Sequence, residues 1–88
     1  MKPLNFAILK YVTTVKEACA DDVVNALQGQ YGSFKALSKQ GVIEALMTAE
    51  QNGLVQETRF DQDSRGELRI YYRAHDEGAA TIHKYIPN

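Results

Sequence analysis

The clearest candidate for binding chemistry in this chain is a concentration of arginine side chains towards its C-terminal end. Four of them fall within fifteen residues: Arg59, Arg65, Arg69 and Arg73. Guanidinium groups bind phosphate oxygens through paired N–H donors, so such a cluster is typical of a surface that contacts a nucleic-acid backbone. Taken singly, each arginine is also explained as a solvated strand residue that pairs with Glu57 or Glu67 across a hairpin.

Other residue types that carry chemistry form no complete catalytic or metal-binding motif. Cys19 would need a neighbouring base to act as a nucleophile, and the two histidines stand at no compact nucleophile or metal spacing. Residues 61–66 resemble the start of a calcium loop, but Arg65 and Tyr72 occupy the fifth and twelfth positions, where oxygen ligands are needed. We therefore expect no enzyme activity, no cofactor and no metal site.

The overall composition places limits on the partner and on the compartment. The 88 residues are 44% hydrophobic and 24% charged, with a net charge of −1 and a pI near 6.1. Proteins that hold nucleic acid by bulk charge are normally more basic, so binding here would depend on a local basic patch. The single cysteine fits a reducing cytoplasm, and no apolar run approaches the roughly 20 residues that a membrane span needs. We expect one soluble cytoplasmic domain over residues 1–88.

Two amphipathic helices are predicted in the first third of the chain. Pro3 opens the first helix, and apolar residues at helical spacing continue it to about Lys16. After a short connection, paired aspartates at 21 and 22 suit the first turn of a second helix, because negative charge is favourable at a helix N-terminus. Gly29 and Gly32 are expected to end this second helix.

The third helix is the best-defined element, and a hairpin follows it. Ser38 can cap a helix over 38–52, and Gly53 can end it. Its apolar stripe consists of Val42, Ala45, Leu46 and Ala49. Residues 54–60 and 68–74 are rich in β-branched and aromatic residues, with a polar tip between them that contains Gly66. A short helix is expected from about Asp76, with His75 as its cap.

This order of elements is the winged helix-turn-helix arrangement. Residues 38–55, SKQGVIEALMTAEQNGLV, resemble the recognition helix and exit strand of MarR and PadR types of winged-helix regulator. The shared features are a capping Ser, an apolar residue four positions on, an Ala-Leu pair and a Gly-Leu-Val ending. The closing YYRAHDEGAATIHKYI is also similar, with Ala74 and His75 where Leu-Thr is usual. The resemblance covers about residues 20–86. It implies an α+β fold with a three-helix core, a two-stranded β-hairpin wing and a short C-terminal helix.

The resemblance also implies a function and a set of contacts. Helix 38–52 would enter the major groove of double-stranded DNA, and the 54–74 hairpin would act as the wing of a homodimeric transcription regulator. Lys39 would suit phosphate or guanine, Gln40 would suit adenine, and Arg65 would lie in or near the minor groove. Carried over by position, the groove-facing residues on the outer face of the helix are Ser38, Lys39, Gln40, Ile43, Glu44, Met47 and Thr48. The predicted DNA-binding residues are Lys35, Ser38, Lys39, Gln40, Glu44, Thr48, Arg59, Arg65 and Arg69.

Departures from the family pattern keep two alternatives open. Ile43 and Glu44 fall where DNA-binding members often carry Ser and Arg, and Glu44 would repel nearby phosphate. Acidic residues also surround Arg65, namely Asp61, Asp63 and Glu67. The first alternative is a winged-helix protein–protein interaction module without intrinsic DNA binding, which contacts a partner through Ile43 and Met47. The second is an accessory protein that binds DNA only together with a partner.

Overall fold

Three helices, a β-hairpin and a fourth helix follow one another in the computed structural model, which describes residues 1–88. Their bounds are α1 Leu4–Val12, α2 Ala20–Tyr31, α3 Lys39–Gln51, β1 Gln56–Gln62, β2 Leu68–Arg73 and α4 Asp76–Tyr85. None of these helices combines the length and the apolar character that a membrane crossing requires.

The core is formed where α1, α2 and α3 meet. Val12, Val23 and Val42, one from each helix, have no exposed surface, and Leu46 is almost as completely buried. Burial of a side chain of this size stabilises the fold by about 1.5–3 kcal/mol. The predicted apolar stripe of α3 is therefore confirmed as its core face.

The first helix ends earlier than expected, at Val12 instead of Lys16. The hydroxyl groups of Thr13 and Thr14 donate 2.6 Å hydrogen bonds to the carbonyl oxygens of Lys10 and Tyr11. These bonds satisfy carbonyl groups at the end of the helix, and β-branched residues are weak helix formers. The apolar spacing beyond Val12 consequently does not continue the helix.

The second helix has the expected acidic start, and Gly32 caps its end as expected, but Gly29 does not end it. The backbone N–H of Cys19 donates to the carboxylate of Asp22 at 3.0 Å, which completes a capping box at the first turn. The helix then continues through Gly29 to Tyr31, which is 1% exposed. A glycine inside a helix costs only about 1 kcal/mol, and the burial of the Tyr31 ring outweighs that cost.

The hairpin is antiparallel and starts two residues later than predicted, at Gln56. Its register pairs Asp61 with Arg69 and shifts between Glu57 and Arg59, where a β-bulge interrupts the ladder. At the tip, Gly66 adopts a positive φ of 80°, which an L side chain rarely takes. Because the tip is tight, β1 continues to Gln62, beyond the predicted end at residue 60. The register also determines which side chains share a face of the hairpin.

Two further contacts fix the hairpin and α4 to the helices. Ala18 and Tyr72 exchange backbone hydrogen bonds of 2.9 Å, so the α1–α2 connection forms an isolated antiparallel β-bridge with β2. The ring Nδ1 of His75 accepts a 3.0 Å hydrogen bond from the backbone N–H of Gly78, which confirms the predicted cap of α4. The backbone of Gly78 packs directly against Leu54.

Candidate nucleic-acid interface

The outward ridge of α3 consists of Gln40, Glu44 and Met47, all of which are exposed to solvent. These positions are separated by four and three residues, so they follow one side of the helix opposite the buried Val42 and Leu46. Met47 keeps 48% of its surface exposed. The ridge therefore presents an amide, a carboxylate and a thioether, and it carries no cation.

Lys39, the only cation on α3, is held between two carboxylates. Its Nζ lies 3.8 Å from Asp21 in the first turn of α2 and 4.0 Å from Asp63 at the hairpin tip. Surface ion pairs of this kind are weak, at about 0–1 kcal/mol, but they direct the side chain away from the outward ridge. Lys39 thus connects α3 with α2 and the hairpin, and the hairpin tip lies beside the first turn of α3.

Two further predicted contacts flank the start of α3. The hydroxyl oxygen of Ser38 accepts a 3.0 Å hydrogen bond from the backbone N–H of Gly41, so this side chain caps the helix as expected. Lys35 lies in the preceding loop and is exposed. A phosphate oxygen at this end of the helix would meet the positive end of the helix dipole and a nearby ammonium group.

The hairpin tip is organised by Asp63. Its Oδ1 accepts hydrogen bonds from the backbone N–H groups of Arg65 at 2.8 Å and Glu67 at 2.9 Å. The bond from Glu67, followed by that from Arg65 and the charge of Lys39, holds the pKa of the Asp63 carboxyl below its ordinary value. The Arg65 side chain is exposed at this ordered tip and takes part in none of the chain's ion pairs.

Arg59 and Arg69, by contrast, are engaged within the protein. The Nε of Arg59 donates a 2.7 Å hydrogen bond to Glu17 in the α1–α2 connection. Arg69 donates bidentate hydrogen bonds to the Asp61 carboxylate, from Nε at 2.7 Å and from Nη2 at 3.0 Å. The guanidinium carbon of Arg59 lies 3.8 Å from the centroid of the Tyr71 ring, so the two arginines and Tyr71 form one cluster.

The expectation that these arginines pair with Glu57 or Glu67 is therefore wrong. The bulge between Glu57 and Arg59 turns Arg59 to the face of Tyr71, and the register sets Asp61 opposite Arg69. The hydrogen bond from Arg69 is the main cause of the lowered pKa of Asp61. Hydrogen bonds from Thr58 and then Arg59 similarly lower the pKa of Glu17. Half of the hairpin's arginine cluster is thus neutralised.

An apolar cleft of about 230 Å³ separates α3 from β2. Ile43 and Met47 line one side, and Leu68 and Ile70 line the other. Ile43 is half-buried and packs against the core, which corrects its expected place on the outer face of the helix. Nearby on β1, Phe60 pairs with Ile70 and is 68% exposed.

Glu44 and Thr48 border a second groove, of about 390 Å³, on the opposite side of α3. This groove is shared with α1, where Asn5 and Leu9 contribute to its wall. Thr48 therefore lies towards α1, away from the hairpin, and Glu44 lies where the outward ridge meets this groove. No group of three or more His, Cys, Asp or Glu side chains is arranged to hold a metal ion.

Comparison with known proteins rests on structure, because the sequence matches no protein-family model and no curated protein. The fold is similar to that of Bacillus subtilis PadR, which was solved in complex with operator DNA. The two align with a TM-score of 0.73 and 18% sequence identity, over 97% of this chain and 47% of the PadR chain. The chain has the winged helix-turn-helix fold. It spans about half the length of PadR, and the winged-helix architecture expected from the sequence is confirmed.

Within the winged helix, sequence reasoning missed the partners that decide which arginines remain available. The Asp61–Arg69 pair could have been found by centring the hairpin register on Arg65, since both residues lie four positions from it. The Glu17–Arg59 contact spans 42 residues and has no local signal. The same is true of the ion pair between Lys39 and Asp21.

Proposed function

We propose that this winged helix is a DNA-binding protein, with transcription regulation as its role. In this proposal α3 enters the major groove, and the wing, residues 56–73, contacts an adjacent minor groove or phosphate. The observation that carries it is the proximity of the wing tip to the first turn of α3, through the 4.0 Å approach of Lys39 to Asp63. This proximity supports one continuous surface that includes Arg65, Lys35 and the outward ridge of α3.

Within that surface the predicted contacts take unequal roles. Lys35 and Arg65 are exposed and would bind phosphate or the minor groove, while Ser38 would contribute the N-terminus of its helix. Gln40 and Glu44 would face the base edges. Lys39, Arg59 and Arg69 would contribute only after exchange of an internal carboxylate partner, and Thr48 lies at the margin near α1.

A homodimer acting in the cytoplasm completes the proposal, with no catalytic role. A homodimer would bind two symmetric half-sites on the DNA at once, which raises the affinity of a small DNA-binding protein. The apolar side chains of Phe6 on α1 and Tyr85 on α4 are 43% and 69% exposed, which supports a contact surface formed by these two helices. Sedimentation equilibrium over a range of concentrations tests this part: a monomer at every concentration contradicts it.

The test of DNA binding is fluorescence polarisation with a labelled duplex of random sequence at low salt. We expect binding by the wild-type chain and a loss of about tenfold or more in a Lys35→Ala/Arg65→Ala double variant, since each phosphate contact adds affinity. Lys16→Ala, which removes an exposed cation in the α1–α2 connection, is the matched control and should bind like the wild type. Absence of wild-type binding, or an equal loss in the control, contradicts the proposal.

A protein-interaction module is the second candidate, and the apolar cleft beside α3 favours it. Leu68 and Phe60 are 56% and 68% exposed on the wing, and Met47 continues this apolar surface onto α3. Exposed apolar patches often mark protein contact sites. If Phe60→Ser/Leu68→Ser abolishes capture of a partner and leaves DNA affinity unchanged, the cleft serves a protein. If DNA affinity falls equally, this candidate is contradicted.

A further inference from the structure

We propose that Gln40, Glu44 and Met47 are the base-reading side chains of α3 and that together they select adenine, cytosine and thymine within about four consecutive base pairs. The inference rests on the proposed DNA binding and names the target class of that surface. Base selection then belongs to a ridge that carries no cation, and Lys39 takes no part in it.

The spacing of the ridge matches the repeat of the double helix. With a rise of about 1.5 Å per residue, Gln40 and Glu44 are about 6 Å apart along the helix axis, and Met47 lies about 4.5 Å further on. Base pairs repeat about every 3.4 Å. The three side chains therefore cover about 10 Å, or about three base-pair steps, when α3 lies along the groove.

The chemistry of each side chain selects one base in the major groove. An amide such as Gln40 can donate to N7 and accept from N6 of adenine, whereas a carboxylate such as Glu44 can only accept and suits N4 of cytosine. Met47 is apolar and polarizable, and the one apolar group on the base edges is the methyl group of thymine. A guanine edge, which offers two acceptors, would repel Glu44.

The internal ion pairs direct Lys39 away from the ridge. Its ammonium group is shared by Asp21 and Asp63 on the wing side of α3, away from the outward ridge. A guanine contact would require Lys39 to leave both carboxylates. The selected bases therefore follow from Gln40, Glu44 and Met47.

The experiment begins with selection of duplexes from a random pool by the full 88-residue chain, followed by sequencing. We expect an enriched motif that contains adenine, cytosine and thymine within about four base pairs. In Glu44→Gln, the amide favours adenine at the cytosine position, and the preference for cytosine falls about fivefold or more. Replacing the motif's thymine by uracil removes only the methyl group and should weaken wild-type binding about threefold.

Two variants separate base reading from general damage to the helix. Met47→Ala should bind the thymine and uracil duplexes equally, because the side chain that contacts the methyl group is gone. Gln30→Ala removes an exposed amide on α2, away from the ridge, and should keep the wild-type motif.

The outcomes distinguish the inference from the function on which it rests. An unselective wild-type chain that still binds duplex overturns base reading by the ridge and leaves DNA binding intact. A selected motif that survives Glu44→Gln, or equal wild-type affinity for thymine and uracil, also overturns the assignment. A wild-type chain that binds no duplex overturns both.

Discussion

Asp63, at the tip of the wing, approaches Lys39, in the first turn of α3, to 4.0 Å. The same carboxyl group also accepts the backbone hydrogen bonds that shape the tip. Asp63 should thus have two separable effects on DNA binding. Its hydrogen bonds order the wing tip, and its negative charge pairs with Lys39 and repels phosphate.

Asp63→Asn should separate these effects. The asparagine oxygen can still accept the backbone hydrogen bonds from Arg65 and Glu67, while the negative charge is lost. We expect tighter binding to random duplex at low salt, by roughly two- to fivefold, as for one exposed charge pair. Fluorescence polarisation measures the change.

Asp63→Ala is the matched comparison, because it removes the same charge together with the hydrogen bonds. We expect weaker binding than in Asp63→Asn, with faster amide exchange at Arg65 and Glu67. Equal affinities in the two variants would show that the order of the tip has no effect on binding.

The salt dependence of DNA affinity should report which arginines are available. With Lys35 and Arg65 as the free cations that contact phosphate in the proposed interface, the slope of log K against log salt should be about −2 per protomer. Arg65→Ala should reduce its magnitude by about 1. Affinities measured at several salt concentrations give the slope.

Arg69→Ala provides the control, because Arg69 is already paired with Asp61. Its slope should change by less than half as much as that of Arg65→Ala. The distinction between free and engaged arginines fails if both variants change the slope equally.

Acid should weaken two carboxylate contacts of the wing, one to the α1–α2 connection and one between its own strands. The hydrogen bonds that Glu17 accepts from Thr58 and Arg59 lower its pKa in the folded chain, and those that Asp61 accepts from Arg69 lower the pKa of Asp61. A lowered pKa stabilises the fold above the ordinary value of the group, and this contribution is lost as the pH falls through the folded value. We expect Tm to decrease from about pH 5 downwards.

A Glu17→Gln/Asp61→Asn variant cannot lose these charges on acidification. Its Tm, followed by circular dichroism, should therefore depend less on pH than that of the wild type. If both proteins lose the same Tm between pH 6 and pH 3, the two carboxylates are not responsible.

The packing of α4 against Leu54 should make Gly78 intolerant of any side chain. A Cβ atom at this position would overlap the carbonyl oxygen of Leu54, which is backbone and can move only with its chain. Gly78→Ala should lower the free energy of unfolding by about 1–3 kcal/mol, as for other overpacked sites. Urea denaturation measures the loss.

Gly29→Ala is the opposite case within the same fold. No atom lies within 4 Å of a Cβ built at this exposed position inside α2. Alanine should raise the free energy of unfolding by about 0.5–1 kcal/mol, because it restricts the unfolded chain. Equal effects of the two substitutions would contradict the close approach of Gly78 to Leu54.

Much of the fold could be predicted from the sequence, since its signals are local. Ser38 and Val42 mark the start and the buried side of α3, and Gly66 marks the hairpin tip, because caps, apolar periodicity and turn residues act within a few positions. Where a local pattern was outweighed, as at Gly29 inside α2, burial elsewhere in the element decided the outcome.

Only the tertiary structure decided which charges of the candidate interface remain available. Glu17 neutralises Arg59 from 42 residues away, and Asp21 and Asp63 occupy Lys39 from two other elements. These pairs depend on helix packing, on strand register and on the bulge that turns Arg59. A salt bridge requires the two charges to approach within about 4 Å, and that approach is set by the assembled fold, not by spacing along the chain.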